Sequence, residues 1–190
     1  MIEIETIISK ITRPHPPASY SRADLYKLLD ELLSKRLIVV SGPPGSGKSN
    51  LVASYIESRN VPDIWCRVDQ GDNDPATFFN YLTAALRDAK PESCDALPYL
   101  TEEGLRNIST FSKNYFQAFC RHLNPPFLIV LDNYQEIEED SCLHEAILTG
   151  CNELPRGGRI IIITTKTCPR TLTRLRAKNM LALIEWVDLE

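Results

Sequence analysis

The residues best suited to chemistry form one short glycine-rich stretch, from Gly42 to Ser49, with the sequence GPPGSGKS. It fits the pattern G-x-x-x-x-G-K-[ST] at every fixed position, and that pattern is typical of loops that hold the phosphates of a nucleotide. Glycines let backbone N–H groups approach phosphate oxygens where a Cβ atom would clash. The sequence therefore predicts that this chain binds a nucleoside phosphate.

Each fixed residue of this stretch has a predicted role. Lys48 is expected to reach the β- and γ-phosphates, and the Ser49 hydroxyl is expected to bind Mg²⁺. A helix that begins near Gly47 would direct its positive end, roughly half a unit charge, at the same anion. The residues of the stretch predicted to contact the nucleotide are Gly42, Pro43, Pro44, Gly45, Ser46, Gly47, Lys48, Ser49 and Asn50.

A second candidate is Asp132, which directly follows the apolar run FLIVL at residues 127–131. A continuous apolar run of this kind indicates a strand buried on both faces of a parallel sheet. Ligands of open α/β sheets bind at the carboxyl ends of the strands. Next to a phosphate-binding loop, Asp132 matches the second nucleotide motif, Walker B, and is predicted to hold Mg²⁺ together with Ser49. The alternative is a strand-end aspartate that only caps a turn.

The elements that must position these residues follow from the apolar periodicity. Strands are predicted at residues 37–40, 64–68, 127–131, 159–164 and 181–187. Helices are predicted at about 21–35, after 47, at 75–89, at 102–123, around 142–149, and as a short basic helix at 170–178. Asp74 is predicted to cap the helix that starts at Pro75. The core-facing residues expected in the 102–123 helix are Leu105, Ile108, Tyr115, Phe116 and Phe119.

Strands that alternate with helices predict a three-layer α/β fold, a parallel sheet with helices on both faces. The 190 residues fit one such domain, at 21–190, preceded by an extended arm at 1–20. The net charge of −4 gives no general attraction to DNA or to an anionic membrane. Without a membrane-length apolar run or a signal peptide, a cytoplasmic protein is expected. The six scattered cysteines are expected to be reduced.

Several stretches together resemble one known family. An Arg13-Pro14 arm precedes Ser21-Arg22, and DNDP at residues 72–75 leads into FFNYLTAALR, followed by LIVLDNYQ and IIIITTK. This combination resembles the nucleotide-binding domain of the maltose-regulator-type members of the STAND class, the signal transduction ATPases with numerous domains. The larger proteins of that family often end in a LuxR-type helix-turn-helix. The resemblance covers nearly all of residues 10–188.

The resemblance implies a switch that binds ATP or ADP with Mg²⁺ and rests in the ADP-bound state. It also implies the strand order 5-1-4-3-2, with an additional strand between the two Walker strands. Arg13, Pro14 and Arg22 would lie near the adenine and ribose. The implied partners are the C-terminal sensor modules of a longer parent protein, further copies in self-association, and DNA only through a domain absent here. An excised domain is therefore expected rather than a stand-alone module.

Two positions depart from the family pattern. The family usually has a second acidic residue directly after the metal aspartate, where this chain has Asn133. An amide can orient a water but cannot act as a general base at pH 7. The sensor arginine after the fourth strand is replaced by Lys166, a point charge instead of a planar fork. With Lys48, Asp132, Asn133 and Lys166 as the residues expected to act on the γ-phosphate, the sequence predicts a weak ATPase at most.

Three other functions can be weighed against the switch. A small P-loop kinase or phosphotransferase would use the same loop, but such enzymes usually need a lid with arginines, and residues 90–104 contain none. A GTPase would need a carboxylate after Thr165-Lys166-Thr167, where Cys168 stands, and this favours adenine. A scaffold without nucleotide is hard to reconcile with Lys48, Ser49 and Asp132 in one chain.

Overall fold

The computed structural model describes residues 8–16, 23–91 and 97–185. One sheet contains five strands, β1 (Leu37–Ser41), β2 (Asp63–Arg67), β3 (Phe127–Asp132), β4 (Gly158–Thr164) and β5 (Leu181–Ile184). The helices are α1 (Ala23–Leu32), α2 (Lys48–Arg59), α3 (Pro75–Ala89), α4 (Glu102–Arg106), α5 (Ile108–Arg121), α6 (Leu143–Glu153) and α7 (Arg170–Thr173). Short 3₁₀ helices lie at Gln70–Asn73, Tyr134–Glu136 and Arg174–Lys178, and a helical turn lies at residues 8–11.

The sheet is parallel throughout, with the strand order β2-β3-β4-β1-β5. Read from the other edge, this is the order 5-1-4-3-2, so the predicted α/β fold and its additional strand are confirmed. β4 separates β1 from β3. Because parallel strands end at the same edge, the glycine loop after β1 and the aspartate at the end of β3 lie at one edge of the sheet.

Both faces of the sheet are covered by helices, and the strand residues alternate between two apolar layers. On β1, Ile38 and Val40 belong to the layer of α1 and α2, whereas Leu37 and Val39 belong to the layer of α3, α5 and α6. Because these strands are buried on both faces, their apolar residues do not alternate with polar ones, and this explains the continuous apolar runs in the sequence. Among the described residues, no helix is long and apolar enough to cross a bilayer.

The predicted helix at 102–123 was wrong in one respect, because it is broken at Asn107 into α4 and α5. Asn107 has φ −129° and ψ 61°, and its side chain accepts from the Thr110 N–H to cap α5. Leu105 was also predicted wrongly as a core residue. It lies on α4, before the break, and is 47% exposed. The predicted cap at Asp74 is confirmed, since its carboxylate accepts from the backbone N–H groups of residues 76 and 77.

α5 and α6 pack closely where Gly150 faces the ring of Phe116. A Cβ atom added at Gly150 would lie 2.6 Å from Phe116 Cε2 and 2.8 Å from two further ring atoms. The Phe116 ring is fully buried, so it has no free space to move into. The glycine therefore allows the two helices to approach.

We predict that Gly150→Ala lowers the free energy of unfolding by about 1–2 kcal/mol, because overpacking outweighs the better helix propensity of alanine. Urea unfolding of both proteins measures the difference. In a Phe116→Leu background the smaller side chain frees the space, and alanine at 150 should be neutral or stabilising. An equal loss of stability in both backgrounds would contradict the steric explanation.

Candidate functional site

The glycine loop (residues 42–47) joins β1 directly to α2 at the carboxyl edge of the sheet. Gly45 and Gly47 have φ of +78° and +83°, a left-handed conformation that costs other residues about 1–2 kcal/mol. Open space surrounds the position where Gly45 would carry a Cβ atom. The Gly47 carbonyl accepts the helical hydrogen bond from the Leu51 N–H at 2.8 Å, so α2 starts from the loop itself. The glycines are thus required by the backbone conformation of this turn.

Lys48 bends back over the glycine loop. Its Nζ donates to the carbonyl oxygens of Gly42 at 2.8 Å and Pro43 at 2.7 Å, and to Ser46 Oγ at 3.1 Å. Lys48 is buried, and this burial lowers the pKa of its ammonium group, while Asp132 opposes the shift. Within the described chain no carboxylate lies within ion-pair distance of Lys48. The groups that accept from this cation in the described residues are therefore all neutral.

The two predicted metal ligands are in direct contact. Ser49 Oγ donates to Asp132 Oδ1 at 2.9 Å, and the Asn133 backbone N–H donates to the same oxygen at 2.8 Å. The second bond is the turn-capping contact that was the alternative role for Asp132, so the carboxylate makes both contacts. Burial raises the pKa of Asp132 above its usual range, and the two donors oppose that rise.

A hydroxyl beside a carboxylate is an oxygen donor set that suits Mg²⁺. The described residues contain no group of three or more His, Cys, Asp or Glu side chains that could hold a metal ion, at this place or elsewhere. Mg²⁺ at this place would take Ser49 and Asp132 from the protein and its other ligands from water and phosphate oxygens, as the ion usually does.

Asn133 and Gln135, in the loop after β3, form hydrogen bonds with the loops after β2 and β4. Asn133 has φ +65°, and its Nδ2 donates to the Val68 carbonyl after β2 at 3.0 Å. Its Oδ1 accepts from Gln135 Nε2, and Gln135 Oε1 accepts from the Thr165 N–H after β4 at 3.1 Å. Sequence reasoning missed Gln135, because a single glutamine in a loop belongs to no motif.

The remaining predicted site residues lie further out. Lys166 is exposed, and its Nζ donates to the Gln135 carbonyl at 2.8 Å. Arg13 pairs with Asp63 at the start of β2, at 2.6 Å. Pro14 lies beside Arg13 in the wall of a cleft. Arg22 lies outside the described residues. The contacts of these four residues with a nucleotide stay predictions.

Two clefts adjoin at Ser49, Asp132 and Asn133. The first has a volume of about 440 Å³ and lies over the glycine loop and Lys48, with Gln135 and Glu136 opposite. The second, of about 550 Å³, lies between β2 and the arm. Its further lining residues are Ser9, Thr12, Arg13, Pro14, His15, Trp65 and Arg67. Both volumes are in the range of cavities that take small ligands.

The sequence matches the family described as AAA domain over residues 14–172. This chain belongs to that family. The AAA domain is 26% identical over 179 residues to the HTH-type transcriptional regulator MalT of Vibrio cholerae and 29% identical over 185 residues to that of Serratia proteamaculans. Each alignment covers 92% of this chain and 19% of the relative, so the chain spans about a fifth of their length. The predicted resemblance to maltose-regulator-type domains is confirmed.

A solved structure entitled "crystal structure of DNA replication initiation factor" also matches the AAA domain, with 14% sequence identity and a TM-score of 0.47. That match covers 92% of this chain and 50% of the other.

In this AAA domain the loop after β3 is also held by His144 on α6. His144 Nε2 lies 2.9 Å from the Glu138 carbonyl, which can only accept, so this nitrogen carries the hydrogen. The ring is buried, and burial lowers the pKa of His144 and so favours the neutral ring. In the neutral ring Nδ1 carries no hydrogen and accepts from the Tyr134 hydroxyl at 2.9 Å. The loop is thus built around a neutral imidazole.

We predict that this histidine makes stability fall on acidification. Because the folded-state pKa lies below the unfolded value of about 6.5, the unfolded chain binds more protons. The stabilisation is fully present above that pH and is lost as the pH falls toward the folded-state pKa. His144→Gln cannot titrate, so its unfolding free energy should change less between about pH 7.5 and 5 than that of the wild type.

Urea unfolding at a series of pH values measures this difference in slope. The variant should also be about 1–2 kcal/mol less stable at pH 7.5, since glutamine cannot keep both buried hydrogen bonds. His122→Gln replaces a histidine outside this contact and is the matched control for the substitution itself. Parallel curves for His144→Gln and the wild type would contradict the prediction.

Proposed function

We propose that this AAA domain is the ATP- and ADP-binding switch of a longer MalT-type transcriptional regulator. The observation that carries the proposal is that the side chains of Lys48, Ser49 and Asp132 lie close together at one edge of the sheet. Lys48 Nζ contacts the carbonyl oxygens of the glycine loop without a carboxylate partner in the described chain, and the Ser49 hydroxyl lies 2.9 Å from Asp132. A cation beside an oxygen donor pair suits a polyphosphate with its metal ion.

On binding, the phosphate oxygens would replace the present hydrogen-bond partners of Lys48. Lys48 would leave the carbonyl oxygens of Gly42 and Pro43 and donate to phosphate oxygens, because charge-assisted hydrogen bonds are stronger than neutral ones. Ser49 and Asp132 would hold Mg²⁺, and the ion would supply positive charge that offsets the negative charge of the phosphates. The cavity above the glycine loop, of about 440 Å³, leaves room for this group.

The contacts of Asn133 support slow hydrolysis. Its amide is engaged at both ends, by the Val68 carbonyl and by Gln135. It therefore has neither the basicity nor the freedom to take a proton from an attacking water. Glu136 also lines the cleft over the glycine loop and is a second carboxylate there, besides Asp132. Slow hydrolysis keeps the bound ATP intact for a long time, which suits a switch whose ATP-bound state must persist.

The rest of the switch would lie in the parent protein. The MalT relatives are named as HTH-type transcriptional regulators, and this chain spans 19% of their length. Sensor modules, self-association and DNA binding through another domain belong to this proposal, as does a cytoplasmic location. The net charge of −4 supports assigning DNA contact to another part of the protein.

Calorimetric titration tests the proposal with Mg-ATP, Mg-ADP and Mg-GTP at one salt concentration. We expect both adenine nucleotides to bind and GTP to be rejected.

Lys48→Met keeps the unbranched stem of the side chain but loses charge-assisted bonds of roughly 1.5–3 kcal/mol each, and this variant should bind ATP at least tenfold more weakly. The control Lys27→Met, at an exposed lysine of α1, should bind like the wild type. Equal affinities of Lys48→Met and the wild type would contradict the assignment.

We also predict that Asn133→Asp raises the single-turnover rate of ATP hydrolysis at least tenfold, because a positioned general base typically contributes a factor of about 10²–10⁴. Asn133→Ala is the matched control, since it also loses the bond to the Val68 carbonyl but gains no carboxylate. Quenched-flow measurement of phosphate release compares the three proteins. If Asn133→Asp is no faster than Asn133→Ala, the missing base does not limit hydrolysis.

A further inference from the structure

Lys10 is buried although Ile8 and Ser9, the two described residues before it, are exposed. It lies in the helical turn at residues 8–11, where Ile8 is 53% exposed and Lys10 only 5%. Lysine is almost never buried without partners. Its Nζ lies 2.7 Å from Asp72 Oδ2, 3.0 Å from Asp69 Oδ2 and 3.8 Å from the centroid of the Tyr81 ring. The ammonium group is therefore enclosed by two carboxylates and the face of an aromatic ring.

Asp72 depends on this ammonium group. Asp72 is fully buried, and its Oδ2 also accepts from the Asp69 backbone N–H at 2.8 Å, which caps the 3₁₀ helix Gln70–Asn73. In the described part of the chain its Oδ1 has no hydrogen-bond partner. Without Lys10 a buried carboxylate would keep a single donor, which is far more costly than the loss of an exposed ion pair.

The loop that receives Lys10 is in turn fixed to the loop after β3. Asn73 Nδ2 donates to the Glu136 carbonyl at 3.0 Å, and Asn73 Oδ1 accepts from the Glu138 N–H at 2.8 Å. Glu136 and Glu138 follow Asp132 closely in the chain. Lys10 is thus anchored to the structure that carries the candidate metal ligand.

The residues after Lys10 form a wall of the nucleotide cleft. Thr12, Arg13, Pro14 and His15 line the 550 Å³ cleft that opens at Ser49 and Asp132. The ion pair between Arg13 and Asp63, at 2.6 Å, is a second attachment of the same segment. The position of this wall therefore depends on where the described part of the arm (residues 8–16) is attached.

We infer that Lys10 is a positioning residue for the bound nucleotide: its pairing with Asp72 and Asp69 holds the arm in place as a wall of the cleft at Ser49 and Asp132. This inference rests on the proposed function. Lys10 itself is not among the residues that line either cleft, and it acts through the segment that follows it. When the pairing is broken, this wall of the cleft is held less firmly and the nucleotide dissociates faster, while the glycine loop keeps its conformation.

Lys10→Met keeps the unbranched stem and removes the ammonium group. In stopped-flow experiments we expect mant-ADP with Mg²⁺ to dissociate at least tenfold faster from this variant, because affinity changes within one site act mainly on dissociation. Inorganic pyrophosphate needs the glycine loop but not the arm, so its affinity in competition should change less than about twofold. Lys27→Met, which breaks the exposed pair with Asp24 at 3.4 Å, is the matched control and should change neither value.

A second variant tests whether Lys10 acts through its ion pair with Asp72 and not through another property of the lysine side chain. Asp72→Asn should also speed dissociation, and the double variant with Lys10→Met should be no faster than the more affected single variant, because both changes remove one interaction. Additive effects of the two substitutions would contradict a direct pairing. Thermal melting verifies that each variant is folded at the temperature of the measurement.

Hydrogen exchange of residues 8–16 supplies a readout that needs no nucleotide. Faster exchange of these amides in Lys10→Met, together with faster mant-ADP release, supports the inference. Wild-type exchange, wild-type release, or an equal loss of mant-ADP and pyrophosphate binding would overturn it. If the wild type binds no nucleotide, the proposed function fails, and the exchange of the arm still decides whether Lys10 holds it.

Discussion

The candidate site depends on the parallel register of three adjacent strands. Leu131 of β3 lies opposite Ile162 of β4, and Ile163 of β4 lies opposite Val40 of β1. This register brings the ends of the three strands level, so Asp132 reaches the first turn of α2. A shift by one residue would turn each strand residue to the other face and separate Asp132 from Ser49. The apolar layers on both faces of the sheet make such a shift costly.

The sequence was most informative where one physical requirement fixes both residue type and spacing. The glycine loop needs left-handed residues at fixed positions, so its motif predicted the turn, the following helix and the place of Lys48. The apolar run before Asp132 predicted a buried strand, and parallel pairing then explains why this residue meets Ser49. The strand order came from the family resemblance, since apolar patterns carry no information about which strands are neighbours.

What the sequence did not show are contacts made by single polar residues. The break at Asn107 depends on one side chain that caps the next helix, within a stretch whose apolar spacing continues. Gln135 joins two loops that are thirty residues apart, and Lys10 reaches Asp72 across 62 residues. Such contacts follow from the tertiary structure and leave no periodicity in the chain. They are also the contacts that give the carboxyl edge of the sheet its shape.

Neutral amide side chains, those of Asn73, Asn133 and Gln135, join the loops after β2, β3 and β4, and the Lys166 ammonium group adds one charged contact to the Gln135 carbonyl. The arm, by contrast, is attached by ion pairs of Lys10 and Arg13. Ionic strength screens exposed charges but weakens buried ion pairs much less, and the side chains of Lys10 and Asp72 are only 7% and 0% exposed, whereas those of Arg13 and Asp63 are 27% and 15% exposed. Rising salt should therefore loosen the arm at Arg13 before it loosens the arm at Lys10, so the buried ion pair is the more durable of the two attachments.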